Sequence, residues 1–502
     1  MASSKNAGRG LLAIASAKIY FIVATYAVFL LLPRLLGSAE EFGLFVTTIS
    51  GVSILNNVLI VATIQTVSKF ISERESDADA ILDQAFRIQL AIGLILASAL
   101  VLAAPSIGSL LLDDALVPLF RIFAIVVLAY ALYAAIVGSL NGRHLFQEQA
   151  RLDMTFTTLR SAGPLIGAFL GLSAFAAICG FALSSVLTLG AGFLAVRWSW
   201  RGKERGSVNP VPWKEWFAFC GPLWLYQLGQ NGVLLIDVQV LKRTVTELAA
   251  LQASAVDATN FAREQVAYYG AAQRFAFVPF QLIVALTFVI FPMISRATAA
   301  GDLETSKRLI RTATRVSILA MLALAAPIAG AADGVLRLAY PNEYLVGANA
   351  LAILIFGVAA FAMFVVASTV LSSAGSPRSA AIVSFVSFVI VVVLNRTAVL
   401  NVGLSDQTLA AAATGTSVGM LIALLLSALL VYRRFGTFLS PKTFLRATLA
   451  AALAGAASHA FPHSSFVGTV LALLLGFLVY VVALFATGEI TRADIRELRS
   501  SL

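Results

Sequence analysis

The chain is a succession of long apolar runs separated by short polar breaks. A run of about 20 apolar residues is long enough for a helix to cross the hydrocarbon core of a bilayer. The pattern predicts fourteen such spans, at residues 11–33, 43–66, 86–105, 118–139, 152–173, 176–196, 216–241, 266–291, 309–331, 348–371, 379–400, 407–431, 443–461 and 465–487. The breaks are too short for a separate soluble domain, so the sequence predicts an all-α integral membrane protein.

Composition strengthens this prediction. Of the 502 residues, 60% are hydrophobic and 12% are charged, and the mean hydropathy is +0.91. Soluble domains contain about 25% charged residues, so a soluble enzyme is excluded. The sequence contains neither a phosphate-binding glycine loop nor a nucleophile elbow, and we predict no catalytic residue and no cofactor.

Metal and disulfide chemistry are not predicted either. Cys179 and Cys220 fall at opposite depths of their spans and form no paired motif, so neither a disulfide nor a zinc site is expected. His459 and His463 have a helical spacing, but Pro462 lies between them and no acidic partner follows.

The net charge of +10 is distributed unevenly over the loops. With an internal N-terminus, 26 of the 35 Lys and Arg residues, Arg160 among them, fall in inside segments. Eight fall outside, and Lys18 lies within the first span. This bias follows the positive-inside rule. It predicts a multi-pass protein of the bacterial inner membrane with cytoplasmic termini and no nucleic-acid partner.

Three pairs of matching segments, offset by 222 to about 234 residues, indicate an internal repeat: Leu100–Pro105 with Leu322–Pro327, Glu41–Phe45 with Gln265–Tyr269, and Gly142–Arg143 with Gly375–Arg378. We interpret them as two six-helix bundles in parallel repeat around a central cavity, followed by two C-terminal helices. Such repeats are typical of transporters. Chance similarity among Ala- and Leu-rich segments is the competing interpretation.

The predicted domain limits follow from this repeat. They are an N-lobe at 1–200, a cytoplasmic linker at 201–215, a C-lobe at 216–432, spans 13 and 14 at 443–487, and a cytoplasmic tail at 488–502.

Six motifs in order carry a family resemblance: PRLLGSAEEFGLF from Pro33, SKFISE from Ser68, VAYYGAAQRFAFVPF from Val266, FPMISR from Phe291, AYPNEY from Ala339 and SSAGSPR from Ser372. The chain resembles the polysaccharide transporter branch, with its O-antigen and exopolysaccharide flippases, of the multidrug/oligosaccharidyl-lipid/polysaccharide exporter (MOP) superfamily. The resemblance implies two lobes that form a V around a central cavity. It also implies transfer of a polyprenyl-diphosphate-linked oligosaccharide to the outer leaflet by alternating access, with that lipid-linked oligosaccharide and membrane lipids as partners.

One segment, 242–265, is longer than the family's usual connection between spans 7 and 8. Val245, Leu248 and Leu251 recur there at helical spacing, and Asp257 offers an N-cap. We predict a helical hairpin that extends both spans outwards. It either docks a polysaccharide polymerase or co-polymerase, or is a solvated insertion without a partner.

Cations inside spans are the main candidates for the diphosphate, because a charge at bilayer depth costs about 2.5–3.5 kcal/mol unless it faces a cavity or a partner. Lys18 lies seven residues after Leu11, about 10 Å into the first span, although a Lys stem can snorkel part of that distance. Arg274 matches the arginine of the family's tyrosine-and-arginine motif, and its alternative is a structural ion pair with Asp237. Arg34 is a third candidate, at the outer end of the first span.

Span 7 carries a polar stripe of Gln227, Gln230, Asn231 and Asp237, which share one helix face. We expect the amides to bind sugar hydroxyls and Asp237 to take up H⁺ or Na⁺ for coupling. The competing interpretation is packing between helices.

Further candidates for the sugar cavity are Asn56 and Asn57 in span 2, together with Tyr26 and Tyr226. The asparagines fall in the middle of their span. The tyrosines can stack on sugars, but Tyr also belongs to the aromatic belts of membrane interfaces.

Two other functions compete with flipping. A cation-coupled multidrug exporter of the same superfamily needs an acidic cavity, whereas the spans of this chain offer mostly cations. A membrane polysaccharide polymerase or ligase usually needs a large outer loop with Arg or His, and the sequence has no such loop.

Overall fold

A computed structural model of the protein describes residues 20–199 and 210–491. Within these ranges the chain is helical and contains no β-strand, which confirms the all-α class. The helices are α1 Tyr20–Leu36, α2 Ala39–Glu73, α3 Ala78–Leu111, α4 Leu116–Gly142, α5 Phe146–Gly171, α6 Ala174–Ser199, α7 Trp213–Ala249, α8 Ala255–Ala276, α9 Phe280–Ala299, α10 Leu303–Gly330, α11 Ala332–Ala339, α12 Ala348–Ser373, α13 Pro377–Val402, α14 Thr408–Phe435, α15 Pro441–Ala460 and α16 Phe466–Ala486. Two 3₁₀ helices, Glu75–Asp77 and Asn342–Gly347, precede α3 and α12.

Nine helices in the described ranges are long and apolar enough to cross a membrane. The total of fourteen spans stays a prediction. Two long helices of the N-terminal half, α5 and α7, are too rich in polar and charged residues to meet that standard. These two helices carry the polar groups described below.

The predicted span 266–291 falls on two helices rather than one. Helix α8 ends at Ala276, α9 begins at Phe280, and a turn occupies 277–279 between them. Pro279 stands at the break, where it has no N–H to donate to the preceding helical turn. An apolar run alone does not reveal such an interruption.

The chain forms two compact units, one of residues up to Ala267 and one from Tyr268 onwards. In the first unit, α2 packs against α4 and α7, and α3 packs against α4. In the second unit, α12 packs against α9, α10 and α14, and α15 packs against α16. The predicted domain limits, which place α7 in the C-lobe, stay a prediction.

Glycines set the distance between α5 and α6. A Cβ added to Gly163 would lie 2.4 Å from the carbonyl oxygen of Gly180, and one added to Gly180 would lie 2.0 Å from that of Gly163. Only residues without a side chain allow the two backbones to approach this closely. The contact places Phe181, which follows Gly180, against the face of α5 that carries Arg160.

The segment 242–265, predicted as a helical hairpin, comprises the end of α7, a turn at 250–254 and the start of α8. At the turn Ser254 accepts a hydrogen bond from the backbone N–H of Asp257 at 3.2 Å. Its hydroxyl also donates to the Asp257 carboxylate at 2.7 Å. Ser254, directly before α8, therefore satisfies a backbone donor of its first turn, and the prediction of Asp257 as the N-cap is wrong because Asp257 lies inside that turn.

Candidate functional site

The structure brings three of the predicted sugar-binding residues together. The Asn57 side chain on α2 donates to Oδ1 of Asn231 on α7, with an N–O distance of 2.8 Å. Asn231 in turn donates to the backbone oxygen of Gln227 at 2.9 Å and to its side-chain oxygen at 3.3 Å. Asn57 and Asn231 each lie 18 residues, about 27 Å, from the start of their helices. We call Asn57, Asn231 and Gln227 the amide cluster.

The other predicted residues of α1 and α2 differ in exposure. Tyr26 is half-buried, whereas Arg34 is exposed near the end of α1. Asn56 is buried, and its side-chain oxygen accepts no hydrogen bond within residues 20–199 and 210–491. Lys18 lies outside the described residues.

On α7, Tyr226 and Gln230 are half-buried, and Asp237 is fully buried. One oxygen of the Asp237 carboxylate accepts a hydrogen bond from the backbone N–H of Val238 at 2.9 Å. A neighbouring amide, Gln239, donates to the backbone oxygen of Thr47 on α2 at 2.8 Å. The Gln239 bond joins α7 to α2, whereas the Asp237 bond lies within α7, so polar residues of α7 have a structural role along part of its length.

Arg274 is a half-buried residue of the second unit, near the end of α8. Two buried tyrosines, Tyr268 and Tyr269, precede it on the same helix. The Tyr268 ring lies edge-on to that of Tyr344, with 5.1 Å between centroids. Asp237 belongs to the first unit, and its pairing with Arg274 stays a prediction.

Sequence reasoning missed one cation, Arg160. The charge count assigned it to an inside segment, but α5 runs from Phe146 to Gly171. Arg160 therefore lies about 21 Å from the start of its helix and about 17 Å from its end. Arg160 thus lies near the middle of α5, which the sequence predicts as a span although it is not one of the nine long apolar helices. The predicted span 152–173 contains Arg160, but the charge count grouped it with Arg143 and Arg151 of the preceding inside segment.

Arg160 lines a pocket built within the first unit by α1, α2, α5 and α6. Arg160 is its one charged lining residue within the described chain; the others are Phe21, Thr25, Val28, Phe29, Phe45, Ile49, Thr157, Ser161, Pro164 and Phe181. We call it the Arg160 pocket.

Aromatic rings hold the guanidinium in place. Its central carbon lies 5.3 Å from the ring centroid of Phe21 and 5.8 Å from those of Phe156 and Phe181. Tyr130 packs on two of these rings, with centroid distances of 5.4 Å to Phe156 and 6.2 Å to Phe181. Such contacts attract the cation to the ring faces, but they do not neutralise its charge.

A second group of buried charges connects three segments of the first unit. Asp113, in the loop between α3 and α4, accepts two hydrogen bonds from Arg263, at 2.8 and 2.6 Å. Lys242 lies 3.1 Å from the same carboxylate. Lys242 and Asp113 are buried, and Arg263 is mostly buried. We call these residues the Asp113 cluster.

Burial would by itself raise the pKa of the Asp113 carboxyl. The hydrogen bonds from Arg263 and the charge of Lys242 act in the opposite direction and hold that pKa below its ordinary value. Asp113 thus stays ionised, and a buried ion pair of this kind is a structural connection that is costly to break. The sequence gives no signal for it, because about 130 to 150 residues separate Asp113 from its partners.

These sites can bind polar and anionic groups, but they are not arranged for bond-breaking chemistry. Residues 20–199 and 210–491 contain no group of His, Cys, Asp or Glu that could hold a metal ion. The amide cluster can exchange hydrogen bonds with hydroxyl groups, and the Arg160 guanidinium can bind oxyanions. An α-helical membrane fold with such polar groups at mid-helix is typical of membrane transporters.

Two family models match the chain. A polysaccharide biosynthesis protein model matches residues 31–349, and a lipid II flippase MurJ model matches residues 225–486. The chain therefore belongs to the flippase and exporter branch of the MOP superfamily, whose members are transporters and not enzymes. Comparison with curated proteins gave no match.

Solved structures share the fold at low sequence identity. The lipid II flippase MurJ in an inward closed conformation has a TM-score of 0.73 and 16% identity over 94% of this chain and 97% of that chain. A multidrug resistance MATE transporter, inward-facing, has a TM-score of 0.60 and 15% identity over 84% of this chain and 94% of that chain. A MOP superfamily transporter from Pyrococcus furiosus, described by a binding pocket of reverse polarity, has a TM-score of 0.58 and 16% identity over 84% and 95% of the two chains.

Proposed function

We propose that the protein is a flippase that moves a polyprenyl-diphosphate-linked oligosaccharide from the inner to the outer leaflet of the bacterial inner membrane. One observation carries the proposal: the charged residue of the Arg160 pocket is a cation near the middle of α5, a predicted span, and a helix that crosses the membrane would hold it at bilayer depth. A transporter of an anionic headgroup needs a positive charge at that depth, since the headgroup leaves water when it crosses the membrane.

Other residues have supporting parts in this proposal. The amide cluster is suited to hydrogen-bond sugar hydroxyls, with Gln230, Asn56, Tyr26 and Tyr226 as further contacts. Lys18, Arg274 and Arg34 are further cations for the diphosphate. Asp237 is the candidate for coupling to H⁺ or Na⁺, and the hairpin at 242–265 is the candidate surface for a polysaccharide polymerase.

The experiment is a deletion strain in which lipid-linked oligosaccharide is located by leaflet. We expect the intermediate to accumulate on the inner face, where lectins added to intact spheroplasts do not reach it. The chain supplied in trans should move it outwards. Unpolymerised units on the outer face would instead indicate a polymerase or ligase and would contradict the proposal.

A cation-coupled multidrug exporter is the second candidate. It is favoured by one residue, the fully buried Asp237, because exporters driven by H⁺ or Na⁺ need a buried acid that binds the coupling ion. A deletion strain with increased susceptibility to cationic drugs and normal surface polysaccharide would support this candidate over the flippase.

A further inference from the structure

We propose that Arg160 and Tyr130 form a phosphate subsite within the first unit, and that this subsite holds the diphosphate of the transported lipid. The inference rests on the proposed function and deepens it, because it assigns the anionic part of the substrate to one pocket. It adds α4 and α5 to the helices on which the sequence predicts substrate-binding residues.

The first argument is charge balance. Within the described ranges Arg160 makes ring contacts but no ion pair and no hydrogen bond. A guanidinium carries five N–H donors, and this one is half-buried, where the absence of an anionic partner carries a cost. The donors of Arg160 are thus available to a ligand that enters the pocket.

The second argument is a buried hydroxyl beside the cation. Tyr130 is 3% exposed, and its hydroxyl makes no hydrogen bond to any described residue. Its ring packs on Phe156 and Phe181, the two rings that also contact the Arg160 guanidinium. Buried hydroxyls are nearly always hydrogen-bonded in native proteins. An oxyanion bound to Arg160 would supply the acceptor that Tyr130 needs.

The third argument concerns the backbone of α5. Pro164 has no N–H, so the carbonyl oxygen of Arg160, four residues earlier, loses its helical hydrogen bond. Both residues line the pocket. The freed carbonyl can accept a hydrogen bond from a sugar hydroxyl next to the diphosphate. Donors for an oxyanion and an acceptor for a hydroxyl thus lie at one residue.

A cationic ligand fits this pocket poorly. The ring faces that would attract it are already turned to the guanidinium, and the charge of Arg160 would repel it. A phosphate or diphosphate ester therefore matches the pocket, whether it belongs to the lipid-linked substrate or to an ordinary anionic phospholipid.

The test is equilibrium binding to the purified full-length chain in detergent. The probes are undecaprenyl diphosphate, inorganic pyrophosphate and phosphatidylglycerol. The variants are Arg160→Gln, Arg160→Lys and Tyr130→Phe. The control is Arg151→Gln, which removes an exposed cation from the same helix. Thermal unfolding shows whether each variant is folded.

We expect Arg160→Gln to weaken the binding of both diphosphates by about 10- to 100-fold. This is the loss of affinity expected when hydrogen bonds to a charged group are removed. Arg160→Lys keeps the charge but loses the planar fork, so its loss should be smaller. Tyr130→Phe should weaken binding by about 2- to 10-fold, and Arg151→Gln by less than about twofold.

Unchanged binding of both diphosphates to a folded Arg160→Gln variant would overturn the inference. So would a loss confined to phosphatidylglycerol, because the pocket would then hold an ordinary lipid headgroup. The proposed function has a separate test. If the deletion strain moves its lipid-linked oligosaccharide to the outer leaflet normally, the proposed function is wrong, even if Arg160→Gln abolishes diphosphate binding.

Discussion

The Arg160 pocket and the Asp113 cluster both place cations in the first unit, but only the cations of the Asp113 cluster are paired with a carboxylate. In the Asp113 cluster one carboxylate lies within 3.1 Å of Lys242 and within 2.6 Å of Arg263. In the pocket Arg160 is surrounded by Phe21, Phe156 and Phe181. The first arrangement pairs its two cations with a carboxylate, and the second leaves its cation available to a ligand.

This difference distinguishes a structural charge from a charge that binds a ligand. A buried ion pair connects helices, and its removal leaves an uncompensated charge in the core. The half-buried Arg160 has no carboxylate partner among the described residues, and it gains an anionic partner when a ligand binds. Substitutions in the two places should therefore affect different properties, stability in one and transport in the other.

The largest effect on stability is expected for Asp113→Asn. The substitution leaves Lys242 and Arg263 buried without a carboxylate, so the free energy of unfolding should fall by about 3–5 kcal/mol. Thermal unfolding in detergent measures this loss. The matched control is Asp114→Asn, which changes an exposed neighbour. Equal stability of the two variants would show that the Asp113 cluster is not a structural connection.

The next largest effect on stability is expected for Gly180→Ala. The new methyl group would meet the carbonyl oxygen of Gly163 at 2.0 Å, so α5 and α6 must separate, at a cost of about 1–3 kcal/mol. Because Phe181 packs on Arg160, diphosphate binding should weaken as well. Gly190→Ala is the control, since nothing lies within 4 Å of its added methyl group. Identical stability and binding in both variants would contradict the described packing of α6 on α5.

A smaller effect is expected for Asn231→Leu. It removes the acceptor of Asn57 and the donor to Gln227, while Arg160 is untouched. Transport of the oligosaccharide should slow by about 2- to 10-fold, the value of one or two ordinary hydrogen bonds. Binding of inorganic pyrophosphate, which has no sugar, should not change. A loss of pyrophosphate binding would mean that the amide cluster and the Arg160 pocket are one site.

The smallest effect is the contribution of Asp113 to acid sensitivity. Its pKa is lowered in the folded protein from the ordinary 3.8. The stabilisation is therefore present above that pH and is lost as the pH falls through the lower, folded-state value. Unfolding temperatures measured down to pH 3 should decline less in Asp113→Asn than in the unaltered chain. A steeper decline in the variant would contradict the lowered pKa.

Much of the fold follows from the sequence. Apolar runs predicted the helical class, and Pro105 and Pro327 of the matching segments lie inside α3 and α10. The break at 277–279 was missed, because a proline in an apolar run is compatible with either a kinked helix or two helices.

The candidate site was predictable only in part. Spacing on one helix face indicated Gln227 and Asn231, and mid-span position indicated Asn57; these three meet in the structure. Arg160 was counted with the inside charges of the segment before it, although the predicted span 152–173 contains it. One signal could have revealed it: Arg160 lies eleven residues before Gly171, the end of its helix. The Asp113 cluster depends on tertiary contacts that no local pattern encodes.

The most direct test of the central claim is translocation of a polyprenyl-diphosphate-linked oligosaccharide in proteoliposomes. It compares the unaltered chain with Arg160→Gln at equal amounts of folded protein. We predict rapid translocation by the unaltered chain. We also predict a loss of about tenfold or more in the variant, with its unfolding temperature unchanged. Equal rates in the two preparations would contradict the claim that Arg160 holds the substrate during transport.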